Sequence, residues 1–194
     1  MAIDAYMFFK QYDGKYLQGE SQVDLAKPVT GDTLAPDFVS AQAATGLFEV
    51  EDYSFDTEQT FNLSSQSTGI GAGKITFNPF SITRKIDKAS PTMFQMSCNG
   101  KAFQDVALGM RKSAGEDSAG IFFLRFDFKL VGVKTISYAH DDESPKETIT
   151  FVYGALVIQY CQQNNNGTPG TVFPAGWNQQ KNVSAGPGTV IAAS

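Results

Sequence analysis

The chain has 194 residues, with 15 Lys plus Arg against 20 Asp plus Glu, a formal net charge of −5. Only 18% of residues are charged while 16 are Phe, which excludes a disordered chain, rich in charge and poor in aromatics. A pI near 4.8 argues against a dedicated nucleic-acid binder, since phosphate needs a basic surface.

The length predicts one domain spanning 1–194. The low charge implies either a surface of small polar residues or one that meets other protein. At the N-terminus, Asp4 interrupts the apolar residues and Lys10 comes late. A signal peptide needs a basic start and an apolar run, so the chain is expected to be made in the cytoplasm without one. No stretch approaches the ~18 apolar residues of a membrane span, and no membrane insertion is expected.

Ile3, Ala5, Met7 and Phe9 alternate with their neighbours as a strand does. Residues 26–46 hold two Pro and two Gly and predict a long loop. Between Phe48 and Phe61 the strand pattern changes phase: Phe48 and Val50 share one face, Tyr53 and Phe55 the other. A phase change of this kind predicts a bulge or bend. Residues 64–73 read as a Gly-rich polar loop, and Pro79 places an edge or bulge in the strand that follows.

Ser90-Pro91 and Gly100 bracket a short helix at about 90–99, with Ser as cap, Pro in the first turn and Gly in the left-handed position after it. Phe94 and Cys98, spaced i, i+4, are expected to face the core with Met93 or Met96 beside them.

Phe122, Leu124, Phe126, Phe128 and Leu130 form an unbroken apolar alternation, with Arg125, Asp127 and Lys129 opposite. The stretch 148–162 is apolar on both faces: Ile149, Phe151, Tyr153, Ala155 and Val157 on one, Val152, Leu156, Ile158 and Tyr160 on the other. A strand with one face in water does not look like this, so both faces must be covered, by the fold or by a neighbouring subunit. Asn166-Gly167 marks a turn, Gly176-Trp177-Asn178 a last strand, and a loose tail is expected from about 183. The predicted fold is mainly β: an antiparallel barrel or sandwich with one short helix on its side.

The sequence offers little for catalysis. His140, the only histidine, stands in a polar acidic turn before Asp141, Asp142 and Glu143, where a solvated loop residue is the simpler reading. No G-x-S-x-G elbow accompanies it, so a β-barrel hydrolase has no positive support. Cys98 and Cys161 are expected as buried small apolar residues, although spacing alone leaves a disulfide open. Two Cys and one His cannot complete a metal site without carboxylates, and no metal or cofactor is expected.

Several collinear segments resemble the haemolysin-coregulated protein (Hcp) family, the tube protein of bacterial type VI secretion. They are the opening Met1-Ala2-Ile3-Asp4-Ala5-Tyr6, then Gly19-Glu20-Ser21, and Tyr53-Ser54-Phe55. Gly71-Ala72-Gly73-Lys74 followed by Ile86-Asp87-Lys88-Ala89-Ser90-Pro91 is the most specific. Met110-Arg111-Lys112 with Gly115-Glu116, the strand 145–160 and Gly176-Trp177-Asn178 complete the series.

The resemblance implies homohexameric rings stacked into a tube, expelled with a spike protein by a contractile sheath and secreted from the cell, not an enzyme. An alternative of the same fold is a ring acting mainly as carrier or chaperone for secreted effectors. By the same analogy Ser54 faces the lumen. Phe151, Tyr153, Val157, Ile158 and Tyr160 are the subunit-interface candidates, and Thr33, Leu34 and Phe38 in the long loop are the ring-stacking candidates.

Overall fold

A computed structural model describes residues 3–25, 28–62, 71–112, 120–140 and 144–188. The principal sheet runs β11 (Val183–Ser184), β10 (Pro169–Asn178), β9 (Pro145–Gln163), β8 (Ile121–His140), β7 (Ala102–Lys112), β1 (Ile3–Lys10), β2 (Phe48–Glu49), with antiparallel pairing throughout. Off this path, β6 (Phe80–Lys85) pairs with both β9 and β3 (Asp52–Ser54).

That branch closes the sheet on itself. The stretch 48–54 pairs with β1 through its first half and with β6 through its second, and β6 returns to β9. The hand-over is at a bend: Val50 N–H donates to Ala5 C=O at 3.0 Å and Glu51 N–H to Thr83 C=O at 3.0 Å. The phase change in this stretch is that bend. It turns Phe48 and Val50 inward before it and Tyr53 and Phe55 inward after it, all toward one apolar interior.

The interior is densely aromatic. Phe80 and Phe128 lie 4.4 Å apart, and Phe9 meets Phe48, Phe103 and Phe151 at 5.5, 5.1 and 5.4 Å between ring centroids. These separations are favourable for ring pairs, which add to simple burial. β4 (Thr57–Asn62) and β5 (Gly71–Phe77) form a separate two-stranded arm, broken from β6 by Asn78-Pro79. Phe77 stacks on Tyr153 at 5.3 Å, docking its base.

Both long strands switch faces along their length. Phe122 pairs with Arg111 whereas Leu124 pairs with Met110, so a bulge at Phe123 turns Phe122 away from the interior face shared by Leu124, Phe126 and Phe128. The expected five-residue apolar face is therefore interrupted. Leu130 adopts a left-handed φ of 52° where β8 and β9 bend together: Phe128 pairs with Leu156 and Val131 with Tyr153, all four in the interior. On β9 the inward residues are thus Ile149, Phe151 and Tyr153, then Leu156.

Two expectations about helices are corrected. The stretch 26–46 is not a plain loop, because it carries α1 (Pro36–Ala43). Pro36 stands in the first turn, where a missing N–H costs nothing, and the Asp32 carboxylate accepts from Leu34 N–H at 3.0 Å and Ala35 N–H at 3.2 Å ahead of the helix.

The second helix, α2 (Ser90–Asn99), is where the sequence places it and ends on Gly100 at φ 63°. Its orientation differs from expectation. Met93 and Met96 are buried, whereas Phe94 is 55% exposed and Cys98 is also exposed. The i, i+3 pair packs on the barrel and the i, i+4 pair faces out. Ser90 does not cap the helix, since its hydroxyl is drawn inward to Glu147.

The stretch expected to be loose from 183 docks as β11 on Trp177 and Asn178, and Ala185 N–H donates to Gly176 C=O at 2.9 Å. Parts of the Gly-rich loop, the acidic turn at 141–143, Gly115-Glu116 and residues 189–194 lie outside the described residues.

Candidate functional site

The outer face of the β3–β6–β9–β8 quarter is built from a repeated tripeptide. Asp52-Tyr53-Ser54, Ser81-Ile82-Thr83, Thr148-Ile149-Thr150 and Thr135-Ile136-Ser137 each place an apolar residue between two polar ones. Strand alternation sends Tyr53, Ile82, Ile149 and Ile136 toward the core. The flanking residues form two rows across four strands: Ser54, Ser81, Thr150, Thr135, and Asp52, Thr83, Thr148, Ser137. Ser81 and Thr150 hydroxyls are 2.9 Å apart, and those of Thr83 and Thr148 3.1 Å. Ser54 is the exposed edge member of the first row. The tripeptide was legible in the sequence as a repeated pattern, yet only the register shows that the four copies line up.

A second surface has the opposite chemistry. Beyond Leu156 the interior face of β9 runs out from under the barrel. Ile158 is 37% and Tyr160 47% exposed. Their register partners on β10 are Ala175 and Phe173, the latter 60% exposed. Beside them a groove of 230 Å³ is lined by Ile75, Phe77, Leu156, Ile158 and Trp177, between the β4–β5 arm and the sheet. The apolar core is thus continued into an open shelf.

The structure separates the candidate residues accordingly. Phe151, Tyr153 and Val157 are buried within the chain itself, so that face of the apolar strand is covered by its own fold, whereas Val152, Ile158 and Tyr160 on the other are exposed. Of the subunit-interface candidates, Ile158 and Tyr160 are therefore the two at the surface. Leu34 and Phe38 are also interior, at 1% and 0% exposure, which leaves Thr33 as the exposed member of that trio. Cys161 is buried as expected, and Cys98 is not.

Buried charge lies apart from both surfaces. Glu147, fully buried, takes Arg84 Nη2 at 2.6 Å and the Ser90 hydroxyl at 2.9 Å, while Arg84 also reaches Asp87 at 3.0 Å. This network ties α2 to β6 and β9. Burial pushes the Tyr153 hydroxyl up to about 12, with the Asp56 charge adding to it. Burial does the same to Tyr6, also to about 12, against the opposing pull of Arg111. His140 is exposed at the end of β8. Among the described residues no three His, Cys, Asp or Glu side chains are grouped to hold a metal ion.

Residues 38–160 match the family model described as type VI secretion system effector, Hcp. The chain belongs to the Hcp family. It is 27% identical over 113 residues to protein hcp1 of Pseudomonas aeruginosa, covering 58% of this chain and 70% of that relative. Its fold matches a solved type six secretion system protein with a TM-score of 0.74, at 22% identity, covering 95% of this chain and 100% of the other. Hcp1 from Salmonella typhimurium matches with a TM-score of 0.67, also at 22% identity and with 95% and 100% coverage. Hcp1 from Escherichia coli gives 0.64 at 16% identity, with 89% and 97% coverage. The mainly antiparallel β fold with its flanking helix is therefore the Hcp fold, and the chain is a type VI secretion protein.

Proposed function

We propose that this Hcp protein is a structural tube component: six copies close into a ring, rings stack, and a contractile sheath expels the tube with its spike. The apolar shelf of Ile158, Tyr160 and Phe173 carries this reading. Large exposed apolar residues continuous with a core mark a protein–protein contact, and a ring needs a heterologous contact that closes. Ile158 and Tyr160 are the subunit-contact residues, with Phe173 beside them.

The hydroxyl row of Ser54, Ser81, Thr150 and Thr135 faces the lumen. Hydroxyls both donate and accept, so such a row meets varied polar cargo without fixed charge. This observation supports the carrier role for secreted effectors as a second reading. Thr33 is the remaining stacking candidate.

Native mass and negative-stain imaging of the purified protein test the ring. A mass of six 21.0 kDa chains and annular particles are expected, and Tyr160→Asp with Ile158→Asp should yield monomers that keep their β-sheet spectrum. A wild-type protein that stays monomeric at high concentration overturns the tube reading. Co-purification of a small toxin that is degraded in cells lacking this protein favours the carrier role. A hydrolase would require an activity lost in His140→Ala.

A further inference from the structure

Residues 32–43 cover the outside of the sheet at β1, β7 and β8. Leu34, Ala35, Phe38 and Ala41 pack against Tyr6, Phe8, Ala107 and Phe122, in the same apolar cluster as Cys161. Phe38 stacks on Phe122 at 4.6 Å and fills the space left by Gly109, where a Cβ would stand 2.5 Å from the Phe38 ring. No strand pairing joins α1 to the sheet.

Its charged attachments gather at one end, while near the other Gln42 donates to Val23 C=O at 2.7 Å and accepts from Leu25 N–H at 3.1 Å. Arg125 of β8, itself buried, donates to Leu34 C=O at 3.1 Å and to Asp37 at 2.6 Å, and is held from behind by Asp127 at 2.7 Å. Gln159 of β9 steadies Asp127 at 2.7 Å. Asp32 adds one contact, accepting from Phe122 N–H at 3.0 Å.

The other end of the helix is strained. Thr45 sits at φ 54°, a left-handed conformation that a β-branched residue rarely adopts. The chain is pinched directly after it. Gly19 N–H donates to Thr45 C=O at 2.7 Å, and a Cβ on Gly46 would stand 2.5 Å from that of Tyr16. A cover clasped by charge at one end and strained at the other has the form of a latch and hinge.

We propose that residues 32–43 open as a unit about Thr45 while the barrel stays closed, with Arg125 as the latch. Opening uncovers the apolar outer face of β1, β7 and β8, and with it Cys161. The barrel interior has no part in the motion, because its closure runs through β2, β3 and β6.

The two cysteines supply the test. N-ethylmaleimide labelling followed by peptide mass spectrometry reads exposed Cys98 as an internal standard and buried Cys161 as the reporter. Arg125→Gln should accelerate Cys161 labelling at least ten-fold, with Trp177 emission and the unfolding midpoint in urea showing the barrel still folded. Asp37→Asn, a milder change at a half-exposed side chain, should accelerate it several-fold. Thr45→Gly, which removes the strain, should slow it. The proposal is overturned if Cys161 in Asp37→Asn and Thr45→Gly reacts only at the rate of global unfolding. It is equally overturned if Arg125→Gln unfolds the barrel together with the cover.

Discussion

Where β1, β7 and the first half of β8 run side by side, the sheet is buried on both sides, by two different means. Its inner face is sealed by backbone pairing and rings: Met7, Phe9, Leu108, Phe126 and Phe128 meet strands that close upon themselves. Its outer face, carrying Tyr6, Phe8, Ala107 and Phe122, is sealed by a short helix held down with Arg125, Asp37 and Asp127. Neighbouring residues of one strand therefore belong to different kinds of core, one secured by geometry and one by charge. Burial alone does not show how firmly a surface is covered.

The sharpest way to break this contrast is at adjacent positions 127 and 128. Phe128→Ala opens a cavity among Phe55, Phe80 and Tyr153 and should cost about 3–5 kcal/mol in urea unfolding, as buried Phe truncations do. Asp127→Ala strands part of the Arg125 guanidinium, but Asp37 still pairs it. The loss should be roughly 2–3 kcal/mol, below the range for fully orphaning a buried charge. Equal losses at the two positions would erase the distinction.

Tyr6 and Tyr153, the tyrosines whose hydroxyls are raised furthest among the described residues, lie one on each face, and alkaline pH probes both. Each stays protonated in the folded chain up to about 12, whereas an unfolded tyrosine ionises near 10. The folded state then holds more protons, so stability is retained below pH 10 and falls as pH rises from 10 to 12. Each tyrosine should contribute roughly 1–2 kcal/mol to that fall after allowance for solvent screening. Melting temperature against pH should show Tyr6→Phe and Tyr153→Phe each flattening part of it.

At neutral pH the two should diverge. Tyr6 accepts from Arg111 at 3.2 Å, and its loss should cost about 1 kcal/mol. The buried Tyr153 hydroxyl has no hydrogen-bond partner among the described residues, so Tyr153→Phe should be neutral or stabilising. Smallest of all, Phe94→Ser on the exposed side of α2 should change stability by no more than about 0.5 kcal/mol. A larger loss would return that residue to the core.

Much of the fold was legible because period-two patterns survive in β1, β7, β8 and β9. The sequence hid the places where backbone geometry overrides the period. A bulge at Phe123 sends Phe122 to the other core, and the left-handed Leu130 accompanies the paired bend in β8 and β9. Pro36 reads as a breaker until it is seen to occupy a first helical turn. α2 was found by its Ser-Pro and Gly punctuation, but Phe94 outranked Met93 and Met96 in apolarity while the packing chose the methionines. Of the surface candidates, hydrophobicity alone could not distinguish Tyr153 from Tyr160. They differ because the barrel ends between them.

The bend at Val50 and Glu51 also bears on how the chain folds. β7, β8, β9 and β10 follow one another as hairpin neighbours, whereas the seam formed by residues 48–54 joins β1 to β6, and through β6 to β9. The pairings that bring β1 to β7 and β6 to β9 join residues as distant as Ile3 and Lys112 or Phe80 and Phe151, and long-range pairings carry a loop-closure cost that local hairpins avoid. Docking of β1 and β6 is therefore the slow part: a meander of hairpins forms first, and the two docked strands, bridged by residues 48–54, turn it from an open, edge-exposed sheet into a barrel.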